Sequence, residues 1–251
     1  MNIPKTYREY KLNPKERKTY YICSGFACFF LGYLFYESLI MGLIFCALAI
    51  KGESVFSHYL AEKRRIELTE QFRDFLYSIS ASVSAGRQMP EALQEAKENL
   101  LLIYSNDAIL CRELDYIVRG IFESKESAET LLKDFAERTE LPDICQFVEV
   151  YCICKTTGGN FQRVIEKTVS IMLDKMNINR EIRVLTVQKR LEANILTAIP
   201  LTVIAFLNVV SPGYLKVLYT TIEGRLLMTV ALFGIGGAYA WGMKLTRIEL
   251  H

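Results

Sequence analysis

The sequence predicts an all-α integral membrane protein, in which a cytoplasmic antiparallel helical bundle lies between two transmembrane helix pairs. Three observations predict it. Charge and hydrophobicity are segregated: residues 51–190 are dense in Lys, Arg, Glu and Asp, while long stretches on either side are almost free of charge. Apolar residues in the charged part recur with the period of an amphipathic helix and never alternate as in a strand. Basic residues cluster outside each apolar pair and are sparse between its members, the asymmetry that orients membrane helices. A mean hydropathy of +0.17 in a chain with 23% charged residues follows from that segregation.

Four apolar stretches are the candidate spans: 20–36, 38–50, 195–210 and 226–243. A spanning helix needs roughly 20 residues to cross about 30 Å, so all four are short and the second is the shortest. Lys51 can snorkel from its end. A single helix over 20–50 would bury Glu37 at mid-bilayer, at a cost of roughly 3 kcal/mol. A hairpin puts Glu37 at the far surface instead. Charge agrees with the hairpin. Lys15, Arg17 and Lys18 precede the first span, Lys63, Arg64 and Arg65 follow the second, and Lys244 and Arg247 follow the fourth. This gives both termini and the central domain in the cytoplasm. Tyr20, Tyr21, Tyr36, Tyr214 and Trp241 lie at span ends, where amphipathic rings anchor at the interface. The apolar run begins too late, and without a small-x-small site after it, for a cleavable signal peptide. The expected order is a basic cytoplasmic N-terminus (1–19), a hairpin (20–50), a helical cytoplasmic domain (51–193), a second hairpin (194–243) and a cytoplasmic tail (244–251).

Within the central domain, Phe72, Phe75, Leu76, Ile79 and Val83 form one helical stripe. Gly86 ends that helix as a left-handed cap. Pro90 stands where a first-turn proline belongs, with Glu91 beside the positive end of the dipole. Further helices are expected to about Tyr104, from about Asp107 to Phe122, and from a cap at Ser124 or Ser127. Pro142 opens another, ending at Gly158-Gly159. Asn160 is a plausible N-cap for the last, with Phe161, Val164, Ile165, Val169 and Met172 on one face. No stop occurs before Pro200, so this helix is expected to enter the third span directly. Arg180, Arg183, Lys189 and Arg190 make its exposed part basic. Two readings stand: a solvated stop-transfer cluster, or contact with anionic lipid head groups or an acidic partner surface.

Little points to catalysis. The two histidines, His58 and His251, have no zinc spacing around them. No phosphate loop and no nucleophile elbow occurs. Gly158-Gly159-Asn160 is too short to cradle a phosphate. Asp74, Glu113 and Asp115 are expected on helix surfaces as solvated charge. The spans lack the internal ionisable group that proton or ion transport uses. A net charge of +2 gives no basic face for nucleic acid. The seven cysteines form no CxxC pair and are expected as buried, reduced small hydrophobes. Neither an enzyme nor a cofactor is expected.

Three stretches carry a resemblance. QFRDFLYSISASVSAGRQMPEAL (71–93) contains Ala85-Gly86, then five residues, then Ala92-Leu93. ESAETLLKDFAERTELPDICQFVEVYCICKTTGGNFQRVI (126–165) ends in the Gly-Gly-Asn turn and an apolar pair. The tail from Arg190 holds Pro200, the Pro212-Gly213-Tyr214 turn and Gly224-Arg225. Together, over about the last 180 residues, the chain resembles the type II secretion system F domain family, and most of all its tight-adherence, TadB-like branch of Flp pilus assembly. The usual Asn-Pro of the membrane turn reads Ser211-Pro212 here, and a single F domain is present. The resemblance implies a platform protein of the cytoplasmic membrane, not itself an enzyme. Its implied partners are a secretion ATPase, a paralogous F-domain membrane protein, pilin and the lipid membrane, in a homo- or hetero-oligomer and without nucleic acid. It carries over structural residues only: Gly86, Gly158, Gly159, Asn160, Pro200 and Pro212. A membrane-anchored scaffold or a small transporter is the alternative.

Overall fold

The computed structural model describes residues 14–48, 53–157, 161–211 and 213–245. Among them there are ten helices and no strand. In order these are α1 (Pro14–Tyr36), α2 (Leu39–Leu48), α3 (Glu53–Ser84), α4 (Met89–Ile103), α5 (Ile109–Phe122), α6 (Ala128–Thr139), α7 (Pro142–Thr157), α8 (Phe161–Val210), α9 (Lys216–Thr220) and α10 (Ile222–Leu245). The chain divides into two compact units. Among the described residues, the first holds Ser57–Ile178, and the second holds the rest.

The first unit is built on the stripes seen in the sequence. Phe72, Phe75, Leu76, Ile79 and Val83 of α3 are all buried. Ala92, Leu93, Ala96 and Leu100 of α4, Leu110, Leu114 and Ile117 of α5, and Leu131, Leu132 and Phe135 of α6 join the same core. Phe147 of α7 and Ile165, Val169 and Met172 of α8 complete it. The Phe147 ring meets those of Phe72 and Phe75 edge-on, both at 5.9 Å between centroids, a preferred aromatic geometry. Helix α4 runs antiparallel to α3: Glu95 accepts from Ser82 at 2.6 Å, Asn99 donates to Ser78 at 2.9 Å, and Tyr104 donates to Asp74 at 2.6 Å. Helices α5 and α6 approach closely at Gly120, where a Cβ would stand 2.7 Å from the Leu131 side chain. Ser127, rather than Ser124, caps α6, accepting from the Thr130 N–H at 3.1 Å.

The second unit contains a tight helical hairpin. The chain breaks at Glu37, with φ of 47°, and α2 folds back on α1. Gly32 and Gly42 let the backbones touch: a Cβ on Gly32 would lie 2.9 Å from the Gly42 Cα. Nearer the open end, a Cβ on Gly25 would lie 3.3 Å from the Cys46 sulfur. Helix α2 is only 10 residues long; Ala49 and Ile50 of the expected second span lie outside the described residues. Helix α8 continues through Pro200 and ends at Val210. The ring removes the N–H that would bond the Leu196 carbonyl, and the helix tolerates it. The connection to α10 holds the short helix α9, which the sequence reading treated as a plain turn. Two helices among the described residues, Arg17–Tyr36 and Gln162–Val210, are long and apolar enough to cross a membrane. Helix α10 carries no charge between Arg225 and Lys244.

Candidate functional site

One end of the first unit gathers several of the residues singled out by sequence. Helix α3 ends there because Gly86 adopts φ of +82°, a conformation that costs glycine nothing. The turn is closed by the Arg87 N–H donating to the Ser82 carbonyl at 3.1 Å, the six-to-one bond of a Schellman cap. Pro90 follows in the first turn of α4, with Glu91 beside it. Gln162, at the start of α8, donates to the Ser84 carbonyl at 3.1 Å. The starts of α4 and α6 meet the ends of α5 and α7 here around an open cleft of about 500 Å³. Met89, Pro90, Ile121, Ala128, Tyr151 and Cys154 line it with apolar surface, and Gln88, Glu126, Ser127 and Lys155 supply its polar lining. Burial, with Cys152 and Glu129 nearby, pushes the Tyr151 phenol up to about 12. Burial also raises the Cys154 thiol, the opposite of what a nucleophilic cysteine needs. The cleft offers shape and apolar contact, with Glu126 and Lys155 as its charged groups.

Gly158, Gly159, Asn160 and Pro212 lie outside the described residues. Pro200 is half-buried inside α8, in the second unit. Arg180, Arg183, Lys189 and Arg190 lie along the same helix. Lys189 pairs with Glu192 at 3.0 Å, while Arg180, Arg183 and Arg190 make no ion pair within the described residues.

Glu113 corrects the sequence reading. It is not a solvated surface charge but 1% exposed, and Arg138 of α6 clamps it with two bonds of 2.7 and 2.8 Å. A buried carboxylate is tolerable only with such a partner. Burial lowers the Arg138 guanidinium, but the bonds and charges of Glu113 and Asp134 outweigh it and hold the group firmly protonated. Asp115 is largely buried too: burial would raise its carboxyl, but Lys97 at 2.6 Å and Arg119 at 3.0 Å hold it below the ordinary range. Gln71, also overlooked, is buried and accepts the Leu110 N–H at 2.9 Å, satisfying an otherwise unbonded donor at the start of α5. The cysteine expectation holds in part. All seven are free, and Cys111 and Cys154 are buried, but Cys23 and Cys145 are exposed.

The second unit holds a polar knot. The Tyr219 hydroxyl donates to the Leu34 carbonyl at 3.0 Å and accepts from the Asn208 amide at 2.8 Å. Arg225 donates to the Tyr219 carbonyl at 2.8 Å. The Tyr36 and Thr229 hydroxyls share a bond of 2.9 Å. Around them Leu34, Phe35, Leu215, Tyr219 and Met228 form a small buried cluster. The knot thus joins the α1–α2 turn to the α8–α10 connection. Among the described residues no group of acidic, histidine or cysteine side chains is placed to hold a metal ion. Comparison with family models, curated proteins and solved structures returns no match.

Proposed function

We propose that the chain is a multi-pass protein of the cytoplasmic membrane, with its first unit and both termini in the cytoplasm. It serves as the platform of a type IV (Flp/Tad) pilus or type II secretion-like assembly machine. Its helical unit receives a secretion ATPase, its membrane helices receive pilin, and a paralogous F-domain protein stands beside it. The observation that carries the reading is α8. One 50-residue helix contributes Ile165, Val169 and Met172 to a buried core and, further on, presents an exposed apolar run around Ile195, Val203 and Phe206. Such a helix can pass movement from a water-soluble body to lipid-embedded segments without an intervening linker.

The cleft beside Pro90 supports the docking half of this reading, since most of its lining is apolar contact surface. The glycine-packed α1–α2 hairpin supports the membrane half, because small residues are what let helices approach in lipid. The resemblance of residues 71–93, 126–165 and 190–250 to the F domain family is the ground on which this machine is proposed.

Inserting a flexible glycine linker at Asn179 tests the coupling. The variant is expected to fold, to enter the membrane and to assemble no fibre. Normal piliation would refute the coupling. Affinity purification of the intact chain tests the partners: a hexameric ATPase and an F-domain paralogue should accompany it, and their absence in stoichiometric amount points to a membrane scaffold of another kind.

A further inference from the structure

Helix α8 does not change from polar to apolar at a sharp boundary. Val184, Leu185, Val187, Leu191, Ile195 and Leu196 are each about half exposed or more, and, interspersed with Lys189, Arg190, Glu192 and Asn194, they lead into the apolar run that ends at Val210. Between and before them stand Arg180, Arg183, Lys189 and Arg190, against the acidic Glu181 and Glu192. Three of those cations, Arg180, Arg183 and Arg190, have no carboxylate partner among the described residues.

A stretch of Leu191–Val210 is 20 residues, or about 30 Å of helix, the thickness of a hydrocarbon core. That register starts the span one turn earlier than Ile195. It sets Lys189 and Arg190 at the depth of the phosphates, with Arg183 about 10 Å further out, roughly a Debye length, and Arg180 about 15 Å out, where the lipid charge is felt more weakly. Arginines there gain from negative lipid charge, by about fivefold in partitioning per residue. A soluble acidic protein would match the charge but would leave Val184, Val187 and Leu191 without an apolar partner that continues into the span. A second copy of α8 would set like-charged arginines against each other.

From this we infer that residues 180–191 of α8 form an electrostatic binding surface for anionic phospholipid, with Arg190 at the phosphates and Arg183 and Arg180 on the turns that rise above them. The inference rests on the membrane reading above and names the lipid class that reading leaves open. The surface makes the junction between the two ends of α8 sensitive to the charge of the inner leaflet.

The full chain, reconstituted into bilayer discs of equal phosphatidylcholine and phosphatidylglycerol and then partly delipidated, provides the test. The lipid that stays bound should be enriched in phosphatidylglycerol, by about fivefold or more. The triple variant Arg180→Gln/Arg183→Gln/Arg190→Gln should lose that enrichment. The triple lysine variant, which keeps charge, should retain it and so separates charge from misfolding. Equal retention of both lipids by the wild type overturns the inference. So does enrichment that survives in the glutamine variant, or an acidic protein that co-purifies through these arginines in place of lipid. A chain that stays in solution and never enters the discs overturns the membrane reading itself, a result distinct from insertion without lipid preference.

Discussion

The two units use the same apolar residues in opposite ways. In the first, most phenylalanines, leucines and isoleucines point inward, and Phe75, Leu76, Ile79 and Phe147 are at most 2% exposed. In the second, Phe26, Ile195, Phe206 and Phe233 are exposed by 62–77%, and the buried large hydrophobics among the described residues are those of the cluster around Tyr219. Charge follows the same division. The first unit spends its ionised groups on internal ties such as Arg138–Glu113 and Lys97–Asp115, while the apolar helices of the second carry almost none. An exposed apolar face of this size is costly in water and natural in lipid. Under the proposed membrane reading, one sequence specifies two solvents, and exposure rather than composition separates them.

The sharpest way to break the comparison is to remove the same ring from each unit. Phe75→Ala should destabilise the first unit by about 4 kcal/mol, measured by denaturant unfolding in mild detergent. Phe233→Ala should leave stability nearly unchanged, because the residue is 77% exposed. A comparable loss at both sites would mean that the second unit hides Phe233 against something other than lipid.

Next in size is the buried ion pair. Arg138→Ala leaves Glu113 buried without its cation, which should cost about 3 kcal/mol. Replacing both residues by apolar ones of similar volume should recover most of that loss, since the pair's desolvation disappears with it. No recovery would show that the pair matters for specificity of packing.

A smaller effect is expected at the polar knot. Tyr219→Phe keeps the ring and removes the hydroxyl that serves Leu34 and Asn208, a loss of about 1 kcal/mol in the thermal unfolding of the detergent-solubilised chain. The change should leave the first unit's unfolding untouched, and any shift there would blur the division between the units.

Smallest is the acid limb. The Asp115 carboxyl is held below its ordinary value by Lys97 and Arg119, so its contribution is fully present above about pH 4. That contribution is lost as pH falls through the lowered folded value. Asp115→Asn should therefore lower stability near neutrality by that contribution, flatten part of the stability loss below about pH 4, and differ least from the wild type in acid.

Much of the helix pattern was legible in the sequence because it rests on local rules. The stripe Phe72–Val83, the Gly86 stop and the first-turn Pro90 follow from periodicity and backbone preference alone. Glu113 and Gln71 were missed because their roles depend on residues far along the chain. Both nonetheless left a signal. Gln71 sits three residues after Leu68, and Glu113 lies three after Leu110 and four before Ile117, so each falls inside an apolar stripe, where a polar side chain demands a partner. Helix α9 was missed because five residues are too few to show a period. The Tyr219 knot was invisible for a different reason: its partners Leu34 and Tyr36 come from the other end of the chain, and one of the bonds goes to a backbone carbonyl.

The central claim is that the second unit is dissolved in lipid while the first is not. Alkaline extraction of cell membranes tests this most directly, since it strips peripheral proteins and leaves spanning ones. The account predicts that the full chain stays in the membrane pellet. Release of the chain into the alkaline supernatant would contradict it.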